Sequence, residues 1–240
     1  MKPVAIVLAF ATMIASAMPS AAQTPAAGVP PPPGANAPVY VVGYIDIQNA
    51  MKAQAMTLLK QFRASCVRED GNQRCEIVQR MEQQNEFAIM EIWKDQAAFK
   101  AHAAGPGAQL RDKLKSMLQS PYDERIHTAF SAPAPQAAPS GRIVYAITHI
   151  DIIPVPAIFE KAPPVLTSAA EAGHKDAGNG RLEVLQQTER RNNHFTIVEI
   201  WSNKRTLEGH QSAARTVQFR EQLQPLIGAL YDERLYKILD

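Results

Sequence analysis

The sequence predicts an α+β protein: two ferredoxin-like βαββαβ units in tandem, packed sheet to sheet within one chain. Three observations predict it. First, four short segments recur in one order. Gly43-Tyr44-Ile45-Asp46-Ile47 answers Thr148-His149-Ile150-Asp151-Ile152, and Gly71-Asn72 through Gln79 answers Gly178-Asn179 through Gln186. Glu91-Ile92-Trp93 answers Glu199-Ile200-Trp201, and Tyr122-Asp123-Glu124-Arg125 answers Tyr231-Asp232-Glu233-Arg234. The offset drifts only from 105 to 109 residues, so this is one duplicated unit and not a short-period solenoid. Second, the hydrophobic patterns inside each unit alternate in the order β-α-β-β-α-β. Third, the third strand is apolar at both parities: Phe87, Ile89 and Trp93 on one, Ala88, Met90 and Ile92 on the other. A strand apolar on both faces is buried on both. Helices cover one face, so the other needs a second sheet, and the twin unit supplies it.

The elements of one unit follow in order. Val39 to Ile47 is rich in β-branched and aromatic residues and reads as a strand. Met51, Ala55, Leu58, Leu59, Phe62 and Cys66 form one helical face. Glu69-Asp70-Gly71-Asn72 is a turn, Cys75 to Met81 a strand, Glu82 to Glu86 a polar hairpin and Phe87 to Trp93 the third strand. Asp95, like Asn203 in the second unit, can cap the next helix. Gly105-Pro106-Gly107 interrupts that helix, which resumes near Gln109 and runs to Leu118; Tyr122 to Ala129 is the last strand. The second unit departs once. Pro163-Pro164 falls inside its first helix, which predicts a short turn at Ala157–Lys161 and a main helix restarting at Pro163.

The 240 residues carry 25 Lys+Arg against 23 Asp+Glu, a formal charge of +2 that gives no footprint for nucleic acid or a polybasic membrane patch. Residues 1–22 hold one charge, Lys2, then an apolar run from Val4 to Ala11, then small residues ending Ser20-Ala21-Ala22. That is the form of a secretory signal, too short and Ala-rich for a membrane span. It predicts a periplasmic or secreted product with no membrane attachment after cleavage. Residues 23–38 hold six of the 18 prolines and read as a tether; residues 131–142 repeat that composition as a linker between units 39–130 and 143–240. Cys66 and Cys75 are the only cysteines. In an exported chain they fit a disulfide, and equally two small buried thiols.

Several residues together resemble the antibiotic biosynthesis monooxygenase (ABM) family. They are the Glu69-Asp70-Gly71-Asn72 turn, then Phe87, Ile89, Glu91 and Trp93 at alternate positions, then Asp95, then His102 nine residues after the tryptophan. Phe195, Ile197, Glu199, Trp201, Asn203 and His210 repeat the pattern. The resemblance implies a dimeric α/β barrel, here formed within one chain. It further implies a cofactor-independent monooxygenase using O₂ on a small aromatic or quinol, or a non-catalytic small-ligand module of the same fold. A haem-degrading branch ligates iron through a helix histidine but also needs an asparagine on the first strand. Here those strands read Val42-Gly43-Tyr44-Ile45 and Ile147-Thr148-His149-Ile150, which disfavours haem.

The candidate site residues follow. His102 and His210 are the candidate bases, because imidazole titrates near neutral pH. Trp93 and Trp201 line the pockets by resemblance, or serve as core residues whose indole N–H finds a partner. Glu91 and Glu199 lie on the same strand faces and must be paired or exposed. Tyr44 and His149 occupy equivalent first-strand positions and join the pockets if they point under the helices. The paired Tyr-Asp-Glu-Arg segments read as strand starts with cross-strand ion pairs. No Gly-rich dinucleotide fingerprint and no His/carboxylate metal triad is present, so the expected cofactor is none.

Overall fold

A computed structural model describes residues 34–132, 142–188 and 191–239. The predicted signal (1–22), most of the tether (23–33) and the middle of the linker (133–141) lie outside the described residues.

The first unit runs β1 (Val39–Asp46), a 3₁₀ turn at Asn49–Met51, α1 (Lys52–Cys66), β2 (Asn72–Arg80), β3 (Glu86–Trp93), α2 (Gln96–Ala104), α3 (Pro106–Leu114) and β4 (Asp123–Ser131). The second runs β5 (Val144–Asp151), α4 (Pro156–Phe159), α5 (Ala162–Gly173), β6 (Asn179–Gln187), β7 (His194–Trp201), α6 (Lys204–Ser212), α7 (Ala214–Leu223) and β8 (Asp232–Ile238). The expected α+β class and βαββαβ order hold in both units. Pro156 opens α4, and Pro163 and Pro164 fall in the first turn of α5, where the missing N–H leaves no bond unmade. The resumed helix of the first unit starts earlier than the pattern predicts, at Pro106, for the same reason. Asp95 accepts a hydrogen bond from the Ala98 N–H and so caps α2; Asn203 accepts one from the Thr206 N–H and caps α6.

Each unit is an antiparallel sheet, in the order β4-β1-β3-β2 and β8-β5-β7-β6. The registers match: Val39 lies opposite Trp93 in the first and Val144 opposite Trp201 in the second. The two inner faces oppose each other, as the apolar pattern requires. The edges also join. β2 pairs with β8 from Val78↔Ile238 to Arg80↔Tyr236, and β4 pairs with β6 from His127↔Gln187 to Ser131↔Val184. The eight strands therefore close into one barrel. Closure pairs part of each edge strand within the chain, which shortens the edge left to recruit another.

Alternation sorts side chains into layers. Val41, Ile45, Ile77, Phe87, Ile89 and Trp93 face outward under Leu59, Phe62, Leu110 and Leu114 of the helices. Tyr40, Val42, Val78, Met90 and Ile92 face inward against Tyr145, Ile147, Leu185, Val198, Ile200 and Tyr236. The inner core also holds four charges. Arg74 donates to both Glu183 oxygens at 2.6 and 2.7 Å, and Arg181 donates to both Glu76 oxygens at 3.2 and 2.5 Å. All four side chains are buried. They come from the repeated Arg-x-Glu of β2 and β6, opposite strands of the barrel, so each pair ties one unit to the other.

A buried pair of this kind is strongly destabilised when one partner is removed, because a charge is left unpaired. Glu183→Gln is expected to lower stability by about 3–5 kcal/mol in urea unfolding. Joint replacement of Arg74 and Glu183 by methionine should recover most of that loss. A Glu183→Gln change with no effect would mean the pairs are solvated and do not join the units.

Candidate functional site

Two matching constellations lie between the barrel and its outer helices. In the second unit β7 alternation sends Glu199 and Trp201 to the helix side, and α6 brings His210 over them. The Trp201 indole N–H donates to Glu199 Oε2 at 2.8 Å, so neither buried polar group is orphaned. The imidazole of His210 lies over the indole with ring centroids 4.7 Å apart. Its Nδ1 is 2.6 Å from Asp176 Oδ2 and therefore donates to it; Nε2 is 3.8 Å from Glu199 Oε1. Arg215 also binds Asp176. The first unit repeats this set. Trp93 donates to Glu91 at 2.9 Å, His102 stacks on Trp93 at 4.4 Å, and His102 Nδ1 donates to Glu69 at 2.9 Å. His102 Nε2 is 3.5 Å from Glu91 Oε1.

Glu69 and Asp176 were missed as site residues. Their signal was present: each is an acid two positions before the turn glycine, Gly71 or Gly178. Those glycines have φ of +80° and +84° and pack against the start of the following helix. The tight turn carries the acid to the histidine.

Burial drives the proton distribution. It raises the Glu91 and Glu199 carboxyls above their ordinary value, partly offset by the neighbouring histidine. It lowers His210, partly offset by Glu199. In the second unit both shifts run toward the uncharged forms of Glu199 and His210.

The units differ in the space beside the histidine. The second has a cavity of about 30 Å³, room for one or two waters, bordered by Ala169, Gly173, Leu182, Phe219 and Tyr231 and reaching His210 and Glu199. In the first unit Phe62 stands at the position of Ala169, with its ring 5.8 Å from His102. Cys66 and Cys75 stand at the positions of Gly173 and Leu182, and a disulfide joins them. Gly107 brings α3 backbone so close that a Cβ there would lie 2.9 Å from His102 Nε2. His102 is 5 % exposed, sealed in its site.

Tyr44 and His149 join neither constellation. Both point into the barrel, where their rings meet at 5.0 Å. This corrects their expected place in the pockets. The parity that sends Ile45 and Ile150 under the helices sends their neighbours inward. Arg125 lies 4.9 Å from the Tyr44 ring centre and donates to His149 Nδ1 at 3.2 Å and His194 Nε2 at 3.0 Å. His194 in turn donates from Nδ1 to Asp151 at 2.8 Å. His127, also buried, meets Thr196 at 3.1 Å. The Tyr-Asp-Glu-Arg segments start strands as expected, but their aspartate–arginine pairs run along one strand and not across two: Asp123 with Arg125 and Asp232 with Arg234, at 2.6 Å each, residues two apart that share a strand face.

With this geometry in place, residues 38–110 match the family model for antibiotic biosynthesis monooxygenases. The match spans Glu91, Trp93 and His102. Over those residues the first unit is similar to an ABM domain. The second repeats its fold and its Glu-Trp-His set, and the eight-stranded barrel is consistent with a tandem pseudo-dimer of such domains. A solved candidate monooxygenase from Fusobacterium nucleatum superposes with a TM-score of 0.75 at 14% identity, covering 85% of this chain and 93% of its own. One from Lactobacillus acidophilus gives 0.69 at 10% identity, covering 85% and 95%. An anthrone oxidase-like protein gives 0.64 at 11%, covering 84% and 91%. At these identities the likeness is one of fold. No curated protein matches the sequence.

The barrel histidines give a pH prediction. Burial, then neighbouring His194 and Arg125, push His127 down to about 3; burial, then Arg125, push His149 down to about 3. Each binds its proton in the unfolded chain near pH 6.5 but in the folded chain only near 3. The stability linked to these two groups is therefore full above about 6.5 and falls with pH below it, by about 1.4 kcal/mol per unit for each histidine. Asp123, Asp151 and Asp232, held low by arginine or histidine partners, act only below about 3.9. Urea unfolding at pH 7 and pH 5 should show this loss, and His149→Gln should flatten it by about one proton. An unchanged slope would place that charge elsewhere.

Proposed function

We propose that this protein is an ABM-type, cofactor-independent monooxygenase for a small aromatic or quinol substrate, that it works from its second unit, and that residues 1–22 export it to the periplasm or medium. The observation that carries the reading is His210. Its Nδ1–H is anchored by Asp176, and its imidazole borders an apolar cavity that the first unit lacks the small residues to form.

The chemistry asks little else of the protein. His210 Nε2 takes a proton from an activated C–H or phenolic O–H, and Asp176, held by Arg215, stabilises the imidazolium. The electron-rich anion passes one electron to O₂, and the radical pair combines to a peroxide. The peroxide loses water, leaving one oxygen atom as a carbonyl; two hydrogens leave the substrate and the second oxygen leaves as water. A dry cavity favours each charge-separated step being short-lived and local. The space present takes a molecule the size of O₂ or water. An aromatic ring needs the outer wall of Thr216 and Phe219 to move, and α7 is set off from α6 by a break at Ala213. Haem gains no support, since Nε2 of each histidine faces a buried carboxylate.

Oxygen uptake with a panel of quinols and anthrone-type substrates tests the reading. His210→Ala should lower the rate by about 10²–10⁴-fold, the usual contribution of a positioned base. His102→Ala should leave it within about threefold. Because His210 is lowered by burial, the acid limb of the rate profile should fall below the ordinary imidazole value of about 6.5. Removing the negative charge with Asp176→Asn should move the limb lower still. Saturable binding of a quinol with no uptake would favour the non-catalytic ligand module. Equal losses for His102→Ala and His210→Ala would overturn the assignment to the second unit.

A further inference from the structure

The first unit keeps the Glu-Trp-His frame but has replaced the cavity with two cysteines. We propose that, once its disulfide is reduced, Cys66, Cys75, Glu91 and His102 bind one divalent metal ion of zinc-like softness.

Three of the four donor atoms are already gathered, and the fourth touches one of them. Sulfurs of Cys66 and Cys75 and a Glu91 oxygen all lie within 4.8 Å of one another, and all three residues are buried. Cys66 Sγ is 3.9 Å from Glu91 Oε1, and His102 Nε2 is 3.5 Å from the same oxygen. A tetrahedral ion with bonds of about 2.3 Å to sulfur and about 2.0–2.1 Å to nitrogen or oxygen holds its ligands roughly 3.3–3.8 Å apart. On reduction the sulfurs must separate, by rotation about their Cα–Cβ bonds, and His102, which already touches the Glu91 oxygen, must close on them to complete the tetrahedron.

The groups behind the ligands are also in place. Glu69 accepts a hydrogen bond from His102 Nδ1–H, which leaves Nε2 with its lone pair free to bind. Trp93 donates to Glu91 Oε2, leaving Oε1 for the ion. Asn72 Nδ2 lies 3.6 Å from Cys66 Sγ and can donate to a thiolate. Two thiolates and a carboxylate are donors that suit a zinc-like dication, whose charge offsets most of theirs in a buried site. The second unit supplies a built-in control. It has the same glutamate, tryptophan, histidine and turn acid, but Gly173 and Leu182 where the sulfurs would be.

The redox step balances simply. A phosphine takes up one water oxygen and gives two electrons to the bridge, while two protons add to the sulfurs. The metal ion then displaces those protons. Metal binding and the disulfide are mutually exclusive states of one site, so reductant opens it and oxidant closes it.

Cobalt(II) is the probe. The full chain is reduced with a water-soluble phosphine, freed of reductant without air and titrated with Co²⁺. The expected result is one Co²⁺ per chain with a thiolate charge-transfer band and the strong visible absorption of a tetrahedral site. The oxidised chain should take up none. His102→Gln and Glu91→Gln should each weaken binding by roughly tenfold or more, and His210→Gln should not. A second measurement guards against loss of fold on reduction: Zn²⁺ should raise the melting temperature of the reduced chain and leave the oxidised chain unchanged. No Co²⁺ uptake, no Zn²⁺ effect on melting, or binding indifferent to both His102→Gln and Glu91→Gln would overturn the proposal. None of these readouts depends on oxygenase activity.

Discussion

A four-stranded sheet with two helices on one side has a second face to hide, and in this chain that face is made of Tyr40, Val42, Val78, Met90 and Ile92 and their counterparts. Water cannot be left against that much apolar surface at the usual gain of about 25 cal/mol per Å² buried. The twin unit satisfies the demand. Once the faces meet, the edge strands come within hydrogen-bonding distance, and the sheets become a single barrel. The arginine–glutamate pairs then find themselves in a closed interior where each needs its partner from the other unit. Fold, closure and inter-unit pairing thus follow from one requirement, the burial of the inner sheet face.

Much of this is legible in sequence because side-chain period reports burial. Ala55, Leu59, Phe62 and Cys66 mark the buried stripe of α1, and all are buried. Both parities of Phe87–Trp93 are apolar, and both faces of β3 are covered. What stayed hidden rests on partners that leave no local trace. The pairing of β2 with β8 and β4 with β6 is made by backbone groups, which every residue carries alike. Tyr44 and His149 lie on a strand whose neighbours on both sides are apolar, so the sequence does not say which parity faces the helices. Arg74 and Glu76 look like solvent-facing residues of an alternating strand; only the opposite strand of the barrel shows them to be core.

Duplication supplied two copies of the same frame, and a few substitutions then set them apart. Alanine at 169 and glycine at 173 leave a gap beside His210; a Cβ at 173 would collide with Leu182. Phenylalanine at 62 and the bridged cysteines close the same gap beside His102. Thr216, where the first unit has Gly107, keeps α7 backbone from settling onto the imidazole. The exchange is one of volume. The first unit gains packing and a cross-link between α1 and β2, which restrains the unfolded chain. The second leaves a cavity whose lining atoms have given up dispersion contacts.

This bears on what the Glu-x-Trp…His pattern means. In both units the tryptophan donates to the glutamate and the histidine stacks on the indole, whether or not there is any space to hold a ligand. A buried indole N–H needs an acceptor, and a buried carboxyl needs a donor. Together with the turn acid they satisfy almost every polar atom of the set. The pattern therefore specifies a frame that is stable in its own right, and its presence identifies fold more firmly than reaction. The chemistry is decided by residues with no polar atoms at all. The side chains at 169 and 173 determine whether the imidazole meets a void or a wall, and in this chain they give the two histidines different surroundings.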